Sequence, residues 1–425
     1  MTLRTHRVAS LRGSLRAPSD KSLSHRAYLL GSIADGTSVV KNVLQGEDCQ
    51  ATRECLKQLG CRFERISETE ELVIPGPWRS PAGPLDCGNS GTTMRLLAGL
   101  IAGHDVEARL VGDASLSRRP MKRIAEPLRM MGAQIEGDTA PLVIRGGGLK
   151  GIRYETPVAS AQIKSAILLA GLFAEGVAEV REPASSRDHT ERMLRACGVE
   201  VQEHDGWIQV RGSGATRVSR FEFDVPSDIS SAAFWLVAGA MVPESELTLN
   251  DVGINPSRTG ILDVAEQCGI RHQVSRGSDR LGEPVADITV WYSSELRPFK
   301  ISGDLVPRLI DEIPILAVLA TQANGTSVIR DASELRVKES DRIETMACAL
   351  GKMGATIETY SDGMAISGPT PLHGAEFEVH GDHRVAMSLA IAGLIADGET
   401  IIHGAETISS SYPAFEQDLW RLAVV

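Results

Sequence analysis

The sequence predicts an α/β protein of two similar domains, and three observations carry that reading. Six short openings rich in Gly, Ser and Asp each precede an apolar run of small residues. Alternating apolar residues follow each run, as half-buried strands require. The composition, 42% hydrophobic but only 4% aromatic with 41 glycines, is that of a compact globular chain rather than a disordered or fibrous one.

The openings are PSDK (18–21), GNSG (88–91), VASA (158–161), PSDI (226–229), GDLV (303–306) and GDHR (381–384). Their first residues lie 70, 70, 68, 77 and 78 apart, so six repeats fill nearly all of the 425 residues. Each continues into a helix such as RAYLLGSIADG or AMSLAIAGLIADG, then a strand such as TSVVKNV or TSVIRD, then a second helix. The second helix closes on glycine and re-enters a strand in LGCRFE, MGAQIE, CGVEV, CGIRH and MGATIE, where glycine suits a left-handed cap. Six openings but five endings suggest that residues 7–15 supply the missing strand and bring both termini into one domain. Domain-size arithmetic places one three-repeat domain at 16–225 and the second at 226–425 together with 1–15.

Charge narrows the function. Forty-four basic against 55 acidic residues give −11, a field that repels nucleic acid and anionic membrane. No apolar run reaches membrane-spanning length, and the basic opening MTLRTHRVASLRGS leads into no signal-like segment, so a cytoplasmic location is expected. Seven cysteines without a C-x-x-C pair argue against a disulfide framework and a zinc site, and HxxH at 380–383 has no third ligand nearby. No metal is expected on these grounds, and oligomeric state is left open, a monomer included.

Cations concentrate at the helix starts, where unpaired N–H groups favour anions. Ser22 and Arg26 share a helix face beside Lys21. The small residues at 89–92 leave room at Gly91 for backbone donors to approach an oxyanion. Arg118, Arg119, Lys122 and Arg123 gather at a helix start against its dipole, which an anion would explain. Ser160, Gln162 and Lys164 open the third repeat, with Ser186, Arg187 and His189 at its second helix; His189 reads as a local hydrogen-bonding residue. Asp311 and Glu339 are the candidate acid and base, with Lys338, Arg342 and Arg384 for carboxylate or phosphate. A solvated charge run is the alternative for KESDR at 338–342. Mutually repelling cations in an acidic protein imply small anionic ligands and proton transfer.

In order along the chain, SDKSLSHRA (19–27), GNSGTTMR (88–95), RRPMKR (118–123), SAQIKSA (160–166), SRDHTERML (186–194), LRVKESDRI (335–343) and GDHRVAMS (381–388) together resemble the 5-enolpyruvylshikimate-3-phosphate (EPSP) synthase family. The resemblance implies two domains of three βαβαββ units, an inside-out α/β barrel with its site in the interdomain cleft. It implies transfer of the enolpyruvyl group of phosphoenolpyruvate to the 5-hydroxyl of shikimate 3-phosphate, with release of phosphate by addition and elimination and with neither metal nor organic cofactor required. Carried over by motif, Lys21, Gly91, Arg119, Gln162, Arg342 and Arg384 would contact phosphoenolpyruvate. Ser22, Arg26, Ser160, Gln162, Arg187, Asp311 and Lys338 would hold shikimate 3-phosphate. Asp311 would take the hydroxyl proton, and Glu339 with Lys21 would serve the methylene carbon. A serine run at 409–411 stands near the family's C-terminal lysine, and Glu334 where it has asparagine. The sister transferase acting on UDP-N-acetylglucosamine uses a loop cysteine where 115–123 is arginine-rich; it and a non-catalytic phosphometabolite-binding protein remain the alternatives.

Overall fold

The computed structural model describes residues 1–212, 218–275 and 277–424. It falls into two compact units. One comprises Met1–Pro18, Ser227–Ser278 and Pro284–Val425, the other Ser19–Pro226 with the short excursion Asp279–Glu283.

In the second of these, three four-stranded sheets repeat one strand order. Leu85–Asp86 runs parallel to Glu107–Val111, which pairs antiparallel with Leu142–Arg145, itself antiparallel to Gln134–Glu136. Arg153–Glu155, Gly176–Arg181, Trp207–Gly212 and Val201–His204 repeat that pattern. So do Glu222–Asp224, Ser38–Lys41, Glu70–Ile74 and Arg62–Arg65, the first of these strands coming from the end of the unit rather than its start.

The other unit follows the same plan through Lys300–Ile301, Gly325–Ile329, Gly363–Gly368 and Thr356–Tyr360. Its remaining sheets correct the expectation for residues 7–15. The strand that completes the last repeat is Thr2–Thr5, antiparallel to Thr400–His403. Ser10–Leu15 instead runs parallel to Glu246–Gly253 and leads the fourth repeat's sheet. Two short strands, not one, are thus contributed from the first 15 residues. Among the described residues every sheet is an open row of strands and none closes on itself, so the barrel of the expected description is not a closed sheet.

Burial explains the arrangement. Helix Ile229–Met241 is buried along its whole length, and Gly91–Gly103, Ala161–Gly171 and His383–Gly393 nearly so. A helix apolar on all sides belongs in a core. Small residues let these helices touch: a Cβ on Gly99 would lie 2.4 Å from the Ala166 carbonyl oxygen. The outer strands Arg62–Arg65 and Arg271–Val274 are largely exposed, which their polar residues permit. Each unit has its own core, one built around Trp235, Phe234 and Phe415, the other around Leu97, Ile101 and Ile167. All five predicted glycine endings, at Gly60, Gly132, Gly198, Gly269 and Gly354, have positive φ.

The fifth repeat departs from its siblings. GDLV opens only the five-residue helix Leu305–Leu309, and a new helix, Ile313–Ala320, begins after Glu312. Pro314 in its first turn is compatible with a start but not with a continuous helix through this point. Asp311 therefore sits just before a helix start. Among the described residues no helix is long and apolar enough to cross a membrane.

Candidate active site

The unit built from 19–226 gathers the residues expected to bind anions at the starts of its first helices. Ser90 caps helix Gly91–Gly103 by accepting from Thr93 N at 3.1 Å. Around this turn, Arg119 Nη2 donates to Asn89 Oδ1 at 2.6 Å and Nη1 to the Asn89 carbonyl at 3.2 Å. Arg95 lies beside it, donating to Gln162 Oε1 at 2.6 Å, while Gln162 Nε2 donates to Thr92 Oγ1 at 3.1 Å. A Cβ on Gly91 would stand 2.9 Å from Arg95 Nη1 and 3.5 Å from Arg119 Nη1. Two guanidiniums thus converge on one glycine at a helix start, a cradle for an anion. Arg95 was missed in the sequence, where it reads as one polar position in the apolar run MRLLAGLIAG.

The four cations around Pro120 do not act as one group. Arg119 turns to this cradle, whereas Arg118 and Lys122 are exposed. The start of helix Lys122–Met130 is satisfied by the Asp138 carbonyl, which accepts from Met121 N at 2.8 Å and Lys122 N at 3.1 Å. An anion is therefore not needed to explain Lys122.

Lys21 forms an ion pair with Asp48, both side chains largely shielded. The Asp48 carbonyl accepts from Thr93 Oγ1 at 3.2 Å, which ties this pair to the Ser90 cap. Arg26 is buried: Nε donates to Thr190 Oγ1 at 2.8 Å, Nη2 to Ser165 Oγ at 2.9 Å and Nη1 to the Ser22 carbonyl at 3.0 Å. Burial lowers its pKa to about 10, against the pull of Glu191 and Asp20. Ser160 precedes helix Ala161–Gly171, and Ser186 and Arg187 precede helix His189–Ala196. His189 Nδ1 lies 2.8 Å from Glu283 Oε1, a hydrogen bond as expected, but to a partner 94 residues away rather than a local one.

The other unit brings all five of its expected residues together. Arg342, at 1% side-chain exposure, donates through Nη1 to Asp311 Oδ1 at 3.3 Å and through Nη2 to Glu339 Oε2 at 2.7 Å. Lys338 Nζ is 3.8 Å and Arg384 Nη2 3.9 Å from the Asp311 carboxylate. Asp382, a further member, accepts from Arg342 Nε at 2.9 Å, from Ser340 Oγ at 2.8 Å and from Arg384 N at 3.1 Å. It caps helix His383–Gly393 and anchors Arg342 at once. Burial pushes the Asp382 carboxyl up, but the Arg342 guanidinium outweighs it and holds the group below its ordinary value. The run at 338–342 is therefore no solvated stretch. Asp311 and Glu312 part company: Glu312 turns into the core, where its Oε1 accepts from Ser230 Oγ and Arg258 Nη2 donates to that hydroxyl at 2.7 Å. Near the C-terminus, Ser409 and Ser410 donate to the carbonyls of Glu406 and Thr407.

Among the described residues no group of three or more His, Cys, Asp or Glu is placed to hold a metal ion. All seven cysteines are free, and six are buried.

A carboxylate ringed by cations in one unit and a guanidinium pair over a glycine in the other suit proton transfer on phosphorylated substrates. The family model for EPSP synthase (3-phosphoshikimate 1-carboxyvinyltransferase) matches residues 5–419. The chain belongs to the EPSP synthase family. It is 53% identical over 423 residues to a 3-phosphoshikimate 1-carboxyvinyltransferase of Geobacillus kaustophilus, covering 98% of each chain. A relative of the same name from Synechococcus sp. is 51% identical, over 97% of this chain and 94% of that one. An EPSP synthase structure from Acinetobacter baumannii superposes with a TM-score of 0.89 at 43% identity, covering 100% of this chain and 98% of the other. An enolpyruvyl transferase of Streptomyces tendae shares the fold at 18% identity, with a TM-score of 0.81 over 99% and 97% of the two chains.

Proposed function

We propose that the chain transfers the enolpyruvyl group of phosphoenolpyruvate to the 5-hydroxyl of shikimate 3-phosphate, releasing phosphate. The observation that carries this reading is the Asp311 carboxylate held at 3.3–3.9 Å from Arg342, Lys338 and Arg384. A non-catalytic anion binder would gain nothing from a carboxylate there. Asp311 takes the 5-hydroxyl proton as that oxygen bonds to C2 of phosphoenolpyruvate, while C3 gains a proton through Glu339 and Lys21. The tetrahedral adduct then loses phosphate from C2 and a proton from C3, restoring the double bond. Cations offset the charge on the departing phosphate.

Phosphoenolpyruvate contacts are assigned to Lys21, Gly91, Arg119, Gln162, Arg342 and Arg384, and we add Arg95 because its guanidinium lies beside Gly91. Shikimate 3-phosphate is assigned to Ser22, Arg26, Ser160, Gln162, Arg187, Asp311 and Lys338. The buried, bonded Arg26 acts chiefly by holding Ser165 and Thr190. Phosphate release from phosphoenolpyruvate is expected with shikimate 3-phosphate and absent with UDP-N-acetylglucosamine. Release with the nucleotide sugar, or with neither acceptor, overturns the assignment.

Gly91→Ala tests the cradle. Its methyl would meet the mobile end of Arg95 at 2.9 Å, so the guanidinium shifts while the helix start tolerates alanine. KM for phosphoenolpyruvate should rise about fivefold or more, on the scale of one weakened charged hydrogen bond. KM for shikimate 3-phosphate and the melting temperature should hardly move; parallel rises in both KM values would place Gly91 elsewhere.

A further inference from the structure

Lys164 has no part in the proposed chemistry, yet it is a buried cation in the unit that carries Lys21, Arg119 and Arg187. Its Nζ lies 2.8 Å from Glu182 Oε2 and 2.8 Å from Glu191 Oε1, with side-chain exposures of 2%, 4% and 2% for the lysine and the two acids. Burial pushes the amine toward neutrality, and the two carboxylates outweigh that and hold it above its ordinary range. Buried ions rarely repay their desolvation in stability, so such a cluster asks for another purpose.

Its connections suggest one. Glu182 reaches two separate loops. Oε1 accepts from Ser160 N at 2.7 Å, and Oε2 accepts from Ser186 Oγ at 2.8 Å and from Ser186 N at 3.3 Å. The Ser160 side chain makes no cap of its own on helix Ala161–Gly171, so its backbone is fixed from outside. Ser160 and Arg187, the neighbour of Ser186, are both assigned to shikimate 3-phosphate. The residues flanking the ion cluster serve the same end: Ser165, next to Lys164, and Thr190, next to Glu191, hydrogen-bond each other at 2.7 Å and together receive Arg26.

We infer that Glu182, with its charge balanced by Lys164, is a positioning residue for shikimate 3-phosphate, clamping the Ser160 and Ser186 loops at a fixed spacing. The inference rests on the proposed function. One carboxylate serves the two loops through different oxygens, so loss of its charge weakens both and loss of one oxygen frees one loop from the other. Phosphoenolpyruvate, assigned mainly to other residues, should sense little of this.

Steady-state kinetics with both substrates varied provide the test, on Glu182→Gln, Lys164→Met and the charge-conserving Lys164→Arg. Glu182→Gln keeps the length but leaves one acceptor oxygen, which cannot serve the Ser160 and Ser186 backbone N–H groups at once. KM for shikimate 3-phosphate should rise about 10- to 100-fold, the scale of charged hydrogen bonds lost, with KM for phosphoenolpyruvate and kcat within about threefold of the parent. Lys164→Met should act in the same direction, and Lys164→Arg should restore most of the affinity. Equal rises in both KM values, or a fall in kcat alone, overturns the clamp. If Glu182→Gln fails to fold, Ser186→Ala removes one arm of the clamp and must show the same one-sided KM change. Failure of the unmodified enzyme to turn over shikimate 3-phosphate would instead sink the proposed function, a result that the variants cannot mimic.

Discussion

Arg342→Met is expected to cost about 3–5 kcal/mol of stability, the range seen when a buried charge loses its partner, and to abolish turnover. Arg342 is fully enclosed, and its guanidinium serves Asp382, Glu339 and Asp311 at once. Burial alone would favour a neutral group; Asp382 first, then Glu339 and Asp311, overcome it and hold the guanidinium well above its usual range. Methionine fills similar space but leaves Asp382 buried with only Ser340 and the helix N–H groups to bond. Acidity should expose the cause. In the parent, the Asp382 pKa is depressed, so its contribution is present above the unfolded carboxyl value of about 3.9 and is lost as pH falls through the lower folded value. Without Arg342, burial, the largest influence, and the Glu339 charge remain and raise that pKa, opposed by the smaller effect of His383. The contribution then reverses sign: it is present below the unfolded value and lost as pH rises through the raised one. The deficit should be largest near neutrality and shrink toward about pH 4. Urea unfolding at both pH values, with hydrogen exchange followed on helices Arg342–Lys352 and His383–Gly393, reads this directly. A deficit independent of pH would mean that lost packing, not the stranded carboxylate, dominates.

Arg342 also marks the boundary of what sequence can reveal. KESDR in isolation more often marks a solvated run than a site, because spacing says nothing about which side chains are enclosed; a side-chain exposure of 1% at Arg342 decides it. Glycine endings were legible because a left-handed cap is a local demand, met five times by the same residue. Register and strand sharing are not local. Thr2–Thr5 is too short for an alternating pattern to stand out, and its place depends on pairing with residues some four hundred positions away. The excursion Asp279–Glu283 left no compositional break, and its tethers, Glu283 to His189, the Gly282 carbonyl to Arg192 and Arg280 to Asp224, join residues far apart in sequence. Arg95 looked like an ordinary helix position. Asp382 went unremarked within GDHR, yet its carboxylate both caps a helix and fixes Arg342. Lys164 was visible as a charge, while Glu182 and Glu191, which give it meaning, lie just past a strand and in a different helix. What escaped the sequence was therefore mostly partnership, since residue types at the helix starts were already informative.

Asp311→Asn separates chemistry from binding. The amide matches the carboxylate in shape, and the Asp311 carbonyl that accepts from Arg384 Nη1 at 3.3 Å is untouched. Arg342 retains Asp382 and Glu339, so the fold should lose little. Removing a negative charge from among Lys338, Arg342 and Arg384 makes the surroundings more positive, and Coulomb attraction should hold phosphoenolpyruvate as tightly as before or more so. Proton acceptance is lost outright, because an amide cannot take the 5-hydroxyl proton at neutral pH. Turnover should therefore fall by about 10²–10⁴, the scale of a missing general base, while affinity stays level or improves. Calorimetric binding beside single-turnover rates distinguishes the outcomes. If rate and affinity fell together, Asp311 would be holding its cations in place for the substrates rather than moving a proton. If the rate persisted, another group would be the base, and Glu339, 2.7 Å from the same guanidinium, would be the next to test.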